Sequence, residues 1–147
     1  MKDKLNQILY MAIREEQYFL DLYKSGAKKT NIESAQRLFK RLAIEEKSHK
    51  EKLLALNIDK ISKTFNPKSL DSINLDKELM LTPIDEFKNI KDIFKTAIES
   101  EINAKERYQY LQENVKEKEA KELFGLLSNE ENKHEKLLKN ELNNLDL

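Results

Sequence analysis

Cysteine is absent from the 147 residues. That absence excludes disulfides, thiolate-held zinc, iron–sulfur clusters and a thiol nucleophile together. Any metal must be held by carboxylate and imidazole. Glycine and proline are scarce, at two each, so the chain has few places to turn. No charge of one sign dominates, because 27 Lys plus Arg balance 27 Asp plus Glu. A nucleic-acid partner usually calls for a basic excess, so none is expected. No window approaches the roughly 20 apolar residues of a membrane span. The opening MKDKLNQILYMAIREEQ has no apolar stretch long enough for a signal peptide. The expectation is a cytoplasmic protein without a membrane partner.

What is present is charge and helix-forming residues: 37% charged and 39% hydrophobic. A chain of this length suits one domain with one core, and its composition reads as long helices with few breaks. The chain also repeats itself once, without a gap, at an offset of 85 residues. Ile8, Ala12, Ile13, Glu16 and Tyr23 meet Ile93, Ala97, Ile98, Glu101 and Tyr108. Ala35, Leu38, Phe39 and Leu42 meet Ala120, Leu123, Phe124 and Leu127. Glu45, Glu46, His49 and Leu53 meet Glu130, Glu131, His134 and Leu138. Two copies are too few for a solenoid. They suit a bundle of two helical hairpins related by a pseudo-twofold axis.

Within each half the apolar residues recur at helical spacing. Thr30 followed by Glu33 has the form of a capping box, which places the start of the second helix there. The second hairpin turns near Val115 to Lys118. Gly125, inside the fourth helix, is either tolerated or admits a close neighbour. The expected organisation is a single domain over 1–147, with a first hairpin over 1–56, a crossover over 57–88 and a second hairpin over 89–142. The crossover holds both prolines, Pro67 and Pro83. A helix of about 24 residues is roughly 36 Å long, and returning along it takes at least about 10–11 extended residues. The joint is longer than that, so a short helix is expected within it, near Leu75 to Leu81.

The chemistry sits in Glu-x-x-His, present as Glu46-Lys-Ser-His49 and Glu131-Asn-Lys-His134. Residues three apart share a helix face, so each pair can grip one ion. The partner helices add the lone glutamates Glu16 and Glu101. One Glu from each of two helices and Glu-x-x-His from each of the others is the ligand set of di-iron and di-manganese carboxylate bundles. Antiparallel helices bring residues level when the turn lies midway between them. The midpoints fall near residues 31–32 and 117, where the turns are expected. Four buried carboxylates need compensation, and two divalent cations supply it. Oxygen-rich ligation with one imidazole per ion suits iron or manganese, and zinc also binds such sites. Glu16 shares a face with Ala12, Phe19 and Tyr23, and Glu101 with Ala97, Ala104 and Tyr108, so Glu15 and Glu99 are expected off the site. Tyr23 and Tyr108, two turns beyond the lone glutamates, are either core residues or hydrogen-bond partners of ligand carboxylates.

The stretches Ala12-Ile13-x-x-Glu16 through Tyr23 and Leu38-Phe39-x-x-Leu42-Ala43-x-Glu45-Glu46-x-x-His49 resemble the rubrerythrin-related branch of the ferritin-like superfamily. So do their second copies, ending at Tyr108 and at Glu130-Glu131-x-x-His134. The resemblance spans nearly the whole chain outside the crossover. It implies a ferritin-like antiparallel four-helix bundle with two iron ions. Glu46 and Glu131 would bridge them, Glu16 and Glu101 would be terminal ligands, and His49 and His134 would bind one ion each. It also implies reduction of hydrogen peroxide or dioxygen, or oxidation of ferrous iron, in a homodimer; a binding protein that keeps the metal for stability, without turnover, is the remaining alternative. Two departures stand out. Without cysteine no rubredoxin domain is expected, so electrons would come from a separate electron-donor protein or from ferrous iron. Ala104 stands where rubrerythrin has an additional glutamate, which leaves a nearly symmetric site closer to bacterioferritin ferroxidase centres.

Overall fold

The computed structural model describes residues 2–65 and 81–145. Four long helices account for most of them: α1 (Lys2–Lys29), α2 (Glu33–Leu54), α4 (Ile90–Asn114) and α5 (Lys118–Asn144), with a short α3 (Ile58–Ser62) after α2. Among the described residues there is no strand, and no helix is long and apolar enough to cross a membrane. Leu5, Ile8, Ala12, Phe19, Leu22 and Tyr23 form a fully buried stripe on α1, at the three- and four-residue spacing that brings side chains onto one face. Phe39 and Leu42 on α2, Ile93, Phe94 and Ala97 on α4, and Phe124, Leu127 and Leu138 on α5 complete the core. Phe19, Tyr23, Phe39 and Phe94 run through it ring against ring, with centroids 5.8, 5.9 and 4.9 Å apart.

The first turn lies at residues 30–32, but its cap differs from the sequence expectation. The N-cap of α2 is Ile32, in extended conformation and without a side-chain cap bond. Thr30 Oγ1 instead accepts from the Ile32 amide at 3.1 Å, and Glu33 reaches outward to Arg37 at 2.7 Å. There is no capping box, because Thr30 serves the turn itself while Ile32 packs on the core and fixes the chain's entry into α2. At the other end of the bundle Glu117 caps α5, its carboxylate accepting from the Glu119 and Ala120 amides. Gly26 is needed where α1 meets α2, since a Cβ there would lie 2.9 Å from the Phe39 ring. Gly125 instead faces the movable end of the Gln112 side chain.

Contacts across the bundle fix its topology. Glu15 pairs with Arg107 and Tyr23 with Glu101, so α1 and α4 run antiparallel. Ser34 meets Glu141, Glu45 faces His134 and His49 meets Glu130, so α2 and α5 are antiparallel too. The short turns make each hairpin antiparallel, which leaves α2 and α4 parallel. The link between them must therefore travel the bundle's length, as the crossover argument requires. Asn57 caps α3 and Ile61 is buried, an element the sequence reading did not anticipate. A 3-10 turn at Ile84–Glu86 precedes α4. Of the helix expected near Leu75 to Leu81, all but Leu81 lies outside the described residues, and Leu81 is not helical.

Candidate metal centre

Each long helix contributes to one buried cluster at mid-height. Glu16 comes from α1, Glu46 and His49 from α2, Glu101 from α4, and Glu131 and His134 from α5. Their exposures run from 0% to 2%. His49 Nδ1 faces Glu46 Oε1 at 2.9 Å, and Glu16 Oε2 and Glu131 Oε1 at 3.1 Å each. His134 Nδ1 faces Glu101 Oε1 at 3.3 Å, and Glu46 Oε1 and Glu131 Oε1 at 3.4 Å each. The two imidazoles lie nearly parallel, 5.7 Å apart. Two overlapping groups of four result, Glu16–Glu46–His49–Glu131 and Glu46–Glu101–Glu131–His134, with the ligand atoms of each within 4.8 Å of one another. Glu46 and Glu131 belong to both. Donors at right angles and about 2.1 Å from one ion are themselves about 3.0 Å apart, so the spacing within each group is that of a coordination shell.

The hydrogen bonding leads to the same reading. Both oxygens of Glu16, Glu46 and Glu131, Oε2 of Glu101, Nδ1 of His49 and both nitrogens of His134 are buried without a hydrogen-bond partner. Orphaned buried polar atoms are rare because each costs free energy. Buried acids elsewhere in this protein are matched by a cationic side chain: Glu15 by Arg107, and Glu135 by Lys105 at 3.0 Å and Lys139 at 2.6 Å. The cluster's acids have only the two imidazoles. Burial accordingly pushes the Glu16 carboxyl up to about 7 and that of Glu101 to about 8. Glu46 is held well above the usual range by burial and then by the Glu101 charge, and Glu131 is raised by burial and then by Glu16. Burial alone would lower His49, but Glu131 and Glu16 outweigh it and carry the ring up to about 11. His134 is raised by Glu101 against the same burial effect. Without cations this cluster retains protons, whereas with cations the orphaned atoms become ligands.

The tyrosines divide. Tyr23 donates its hydroxyl to Glu101 Oε1 at 2.6 Å. Tyr108 is buried within the influence of Glu16, yet Glu16 accepts no hydrogen bond. Glu15 and Glu99 belong to neither group of four. Glu99 is exposed, but Glu15 is 2% exposed and bound to Arg107, itself 8% exposed. The sequence reading missed that pair, and missed Glu130 and Glu45, which approach the outer nitrogens of His49 and His134. The signal for the latter two was available, since each precedes a shared glutamate in both repeats.

An all-helical bundle with this buried carboxylate and imidazole cluster defines a ferritin-like protein with a candidate metal site. The family model for rubrerythrin matches residues 92–147. A solved structure of a hypothetical protein from Pyrococcus furiosus is 30% identical, covers 95% of this chain and 88% of its own, and superposes with a TM-score of 0.72. No curated protein matches the chain. The chain belongs to the rubrerythrin family.

Proposed function

We propose that the chain is a non-haem di-iron oxidoreductase that reduces hydrogen peroxide or dioxygen with electrons from a separate donor protein. The observation that carries this reading is the pair of four-residue groups sharing Glu46 and Glu131. In it, Glu46 and Glu131, which belong to both groups, would serve both ions, Glu16 and Glu101 would each serve one, and each histidine would serve one through Nδ1. The chemistry such a pair of ions supplies when bound is two electrons and a polarising charge for a small oxidant. The chain's own part is to hold the ligands, exclude bulk water by burial, and orient Glu101 through Tyr23. A ferroxidase is the second reading, favoured by the near-symmetric ligand set and by the buried Ala104, which adds no carboxylate.

Anaerobic reconstitution with ferrous iron is expected to give two ions per chain, and Glu16→Ala or Glu101→Ala to lower that occupancy. Stopped-flow mixing at matched oxidant concentrations is expected to show faster oxidation by peroxide than by dioxygen. Faster reaction with dioxygen, with turnover of iron beyond two equivalents, would replace the first reading by the second. A metal content near zero would dismiss both.

A further inference from the structure

The sequence repeat suggests two equal metal positions, but the hydrogen bonding around them differs. Around the Glu16–His49 position, His49 Nε2 is held by Glu130 of the opposite hairpin, which leaves Nδ1 to face the carboxylates. Holding the outer nitrogen of a ligand imidazole fixes its tautomer and raises its basicity. Glu16 keeps both oxygens free of hydrogen bonds. Around the Glu101–His134 position, the corresponding Glu45 Oε2 is 3.7 Å from His134 Nε2, too far for a hydrogen bond, and both nitrogens of this ring are unpartnered. Glu101 Oε1, the oxygen facing His134, already carries the Tyr23 hydroxyl. A hydrogen bond to a carboxylate oxygen draws on the electron density it would give a cation. The contacts of His49 Nδ1 with its three carboxylates, 2.9–3.1 Å, are also shorter than the 3.3–3.4 Å around His134.

We infer that the two positions are unequal: the one built on Glu16 and His49 fills first and binds tightly, and the one built on Glu101 and His134 fills second and exchanges. Glu130 is the positioning residue for the first, and Tyr23 weakens the second. The inference rests on the di-metal reading above and adds an order of occupancy to it. It means that a protein sampled at limiting metal holds a single ion on the His49 side.

The chain has just two histidines, so both rings can be followed by NMR in full-length, histidine-labelled protein, assigned with His49→Asn and His134→Asn. The first equivalent of diamagnetic zinc(II) is expected to shift the His49 ring, and the second the His134 ring, the rings lying too close, at 5.7 Å, for a paramagnetic ion to tell them apart. Calorimetry should resolve two steps. Glu130→Ala should weaken the first step by about 10–100-fold, while Glu130→Gln, which keeps an acceptor, should recover most of that loss. Tyr23→Phe should strengthen the second step by about 2–10-fold. Glu45→Ala should change either step by no more than about twofold. Both rings responding together, or His134 first, would overturn the inference while leaving the di-metal centre in place. No response from either ring at two equivalents would remove the centre itself.

Discussion

Glu15→Ala separates the cluster from its surroundings, because Glu15 adjoins Glu16 in sequence yet serves another purpose. Its carboxylate is 2% exposed and its partner Arg107 is 8% exposed. Removing the glutamate leaves a buried guanidinium without its counter-ion between α1 and α4. Breaking a buried pair from one side costs about 3–5 kcal/mol, a large part of a typical stability of about 5–15 kcal/mol. For a chain of this size that corresponds to a fall in Tm of roughly 6–20 °C. Replacing both partners, as in Glu15→Leu with Arg107→Met, removes the unpaired charge and should restore or exceed the parent stability. Urea denaturation in chelator measures these values without metal linkage, with the exposed Glu99→Ala as a control expected within about 0.5 kcal/mol of the parent. Metal content measured separately should stay at the parent level in Glu15→Ala. A single-variant loss under about 1 kcal/mol, or a double variant weaker than the single, would refute the argument. Loss of metal with full stability would mean that Glu15 is itself a ligand.

The pH dependence of the metal-free protein should be inverted relative to most proteins. Glu16 and Glu101, raised by burial to about 7 and 8, hold protons in the folded state that the unfolded chain gives up nearer 4.5, so folding weakens as pH rises through that window. His49, raised to about 11, contributes stability that is full below about 6.5 and is lost as pH climbs toward its folded value. In chelator, the urea midpoint should therefore be lower at pH 8 than at pH 5.5, and a rise would contradict the assignment. The two glycines should respond to alanine with opposite signs. At Gly26 the added methyl meets the fully buried Phe39 ring at 2.9 Å. Overpacking of about 1–3 kcal/mol then outweighs the gain of about 1 kcal/mol in helix propensity. At Gly125 it meets only the movable end of Gln112, so the helical gain should survive in a denaturation curve.

Much of this molecule was legible in its sequence, because the 85-residue repeat and the apolar spacing are properties of the chain itself. The midpoints near residues 31–32 and 117 gave the turns, found at 30–32 and 115–117, and with them a common height for Glu16, Glu46, His49, Glu101, Glu131 and His134. What stayed hidden was what the repeat does not repeat. Glu15 and Arg107 have Ser100 and Leu22 as their mates, so no pattern within either half pairs them, and only the docking of the two hairpins does. The inequality of Tyr23 and Tyr108 is hidden for the converse reason: their sequence positions are equivalent, and the difference lies in packing. Ile32 displaced Thr30 as the cap because the Thr30 hydroxyl accepts from the Ile32 amide inside the turn and is not placed on the first turn of the helix.

The partition of the centre between two hairpins also governs the order in which the protein can fold. The turns close α1 on α2 and α4 on α5 over short stretches of chain, whereas Tyr23–Glu101, His49–Glu130 and Glu15–Arg107 join residues 78, 81 and 92 apart. Local closure is fast and distant closure is slow. Each hairpin is therefore expected to form early and their docking late. Docking also buries Glu16 and Glu46 of one hairpin against Glu101 and Glu131 of the other, so like charges oppose the last step until the carboxyls take up protons or meet a cation. A cation bound by one hairpin removes that opposition before the second arrives. On the di-metal reading proposed above, the cation is thus expected to act as an assembly template for a newly made chain.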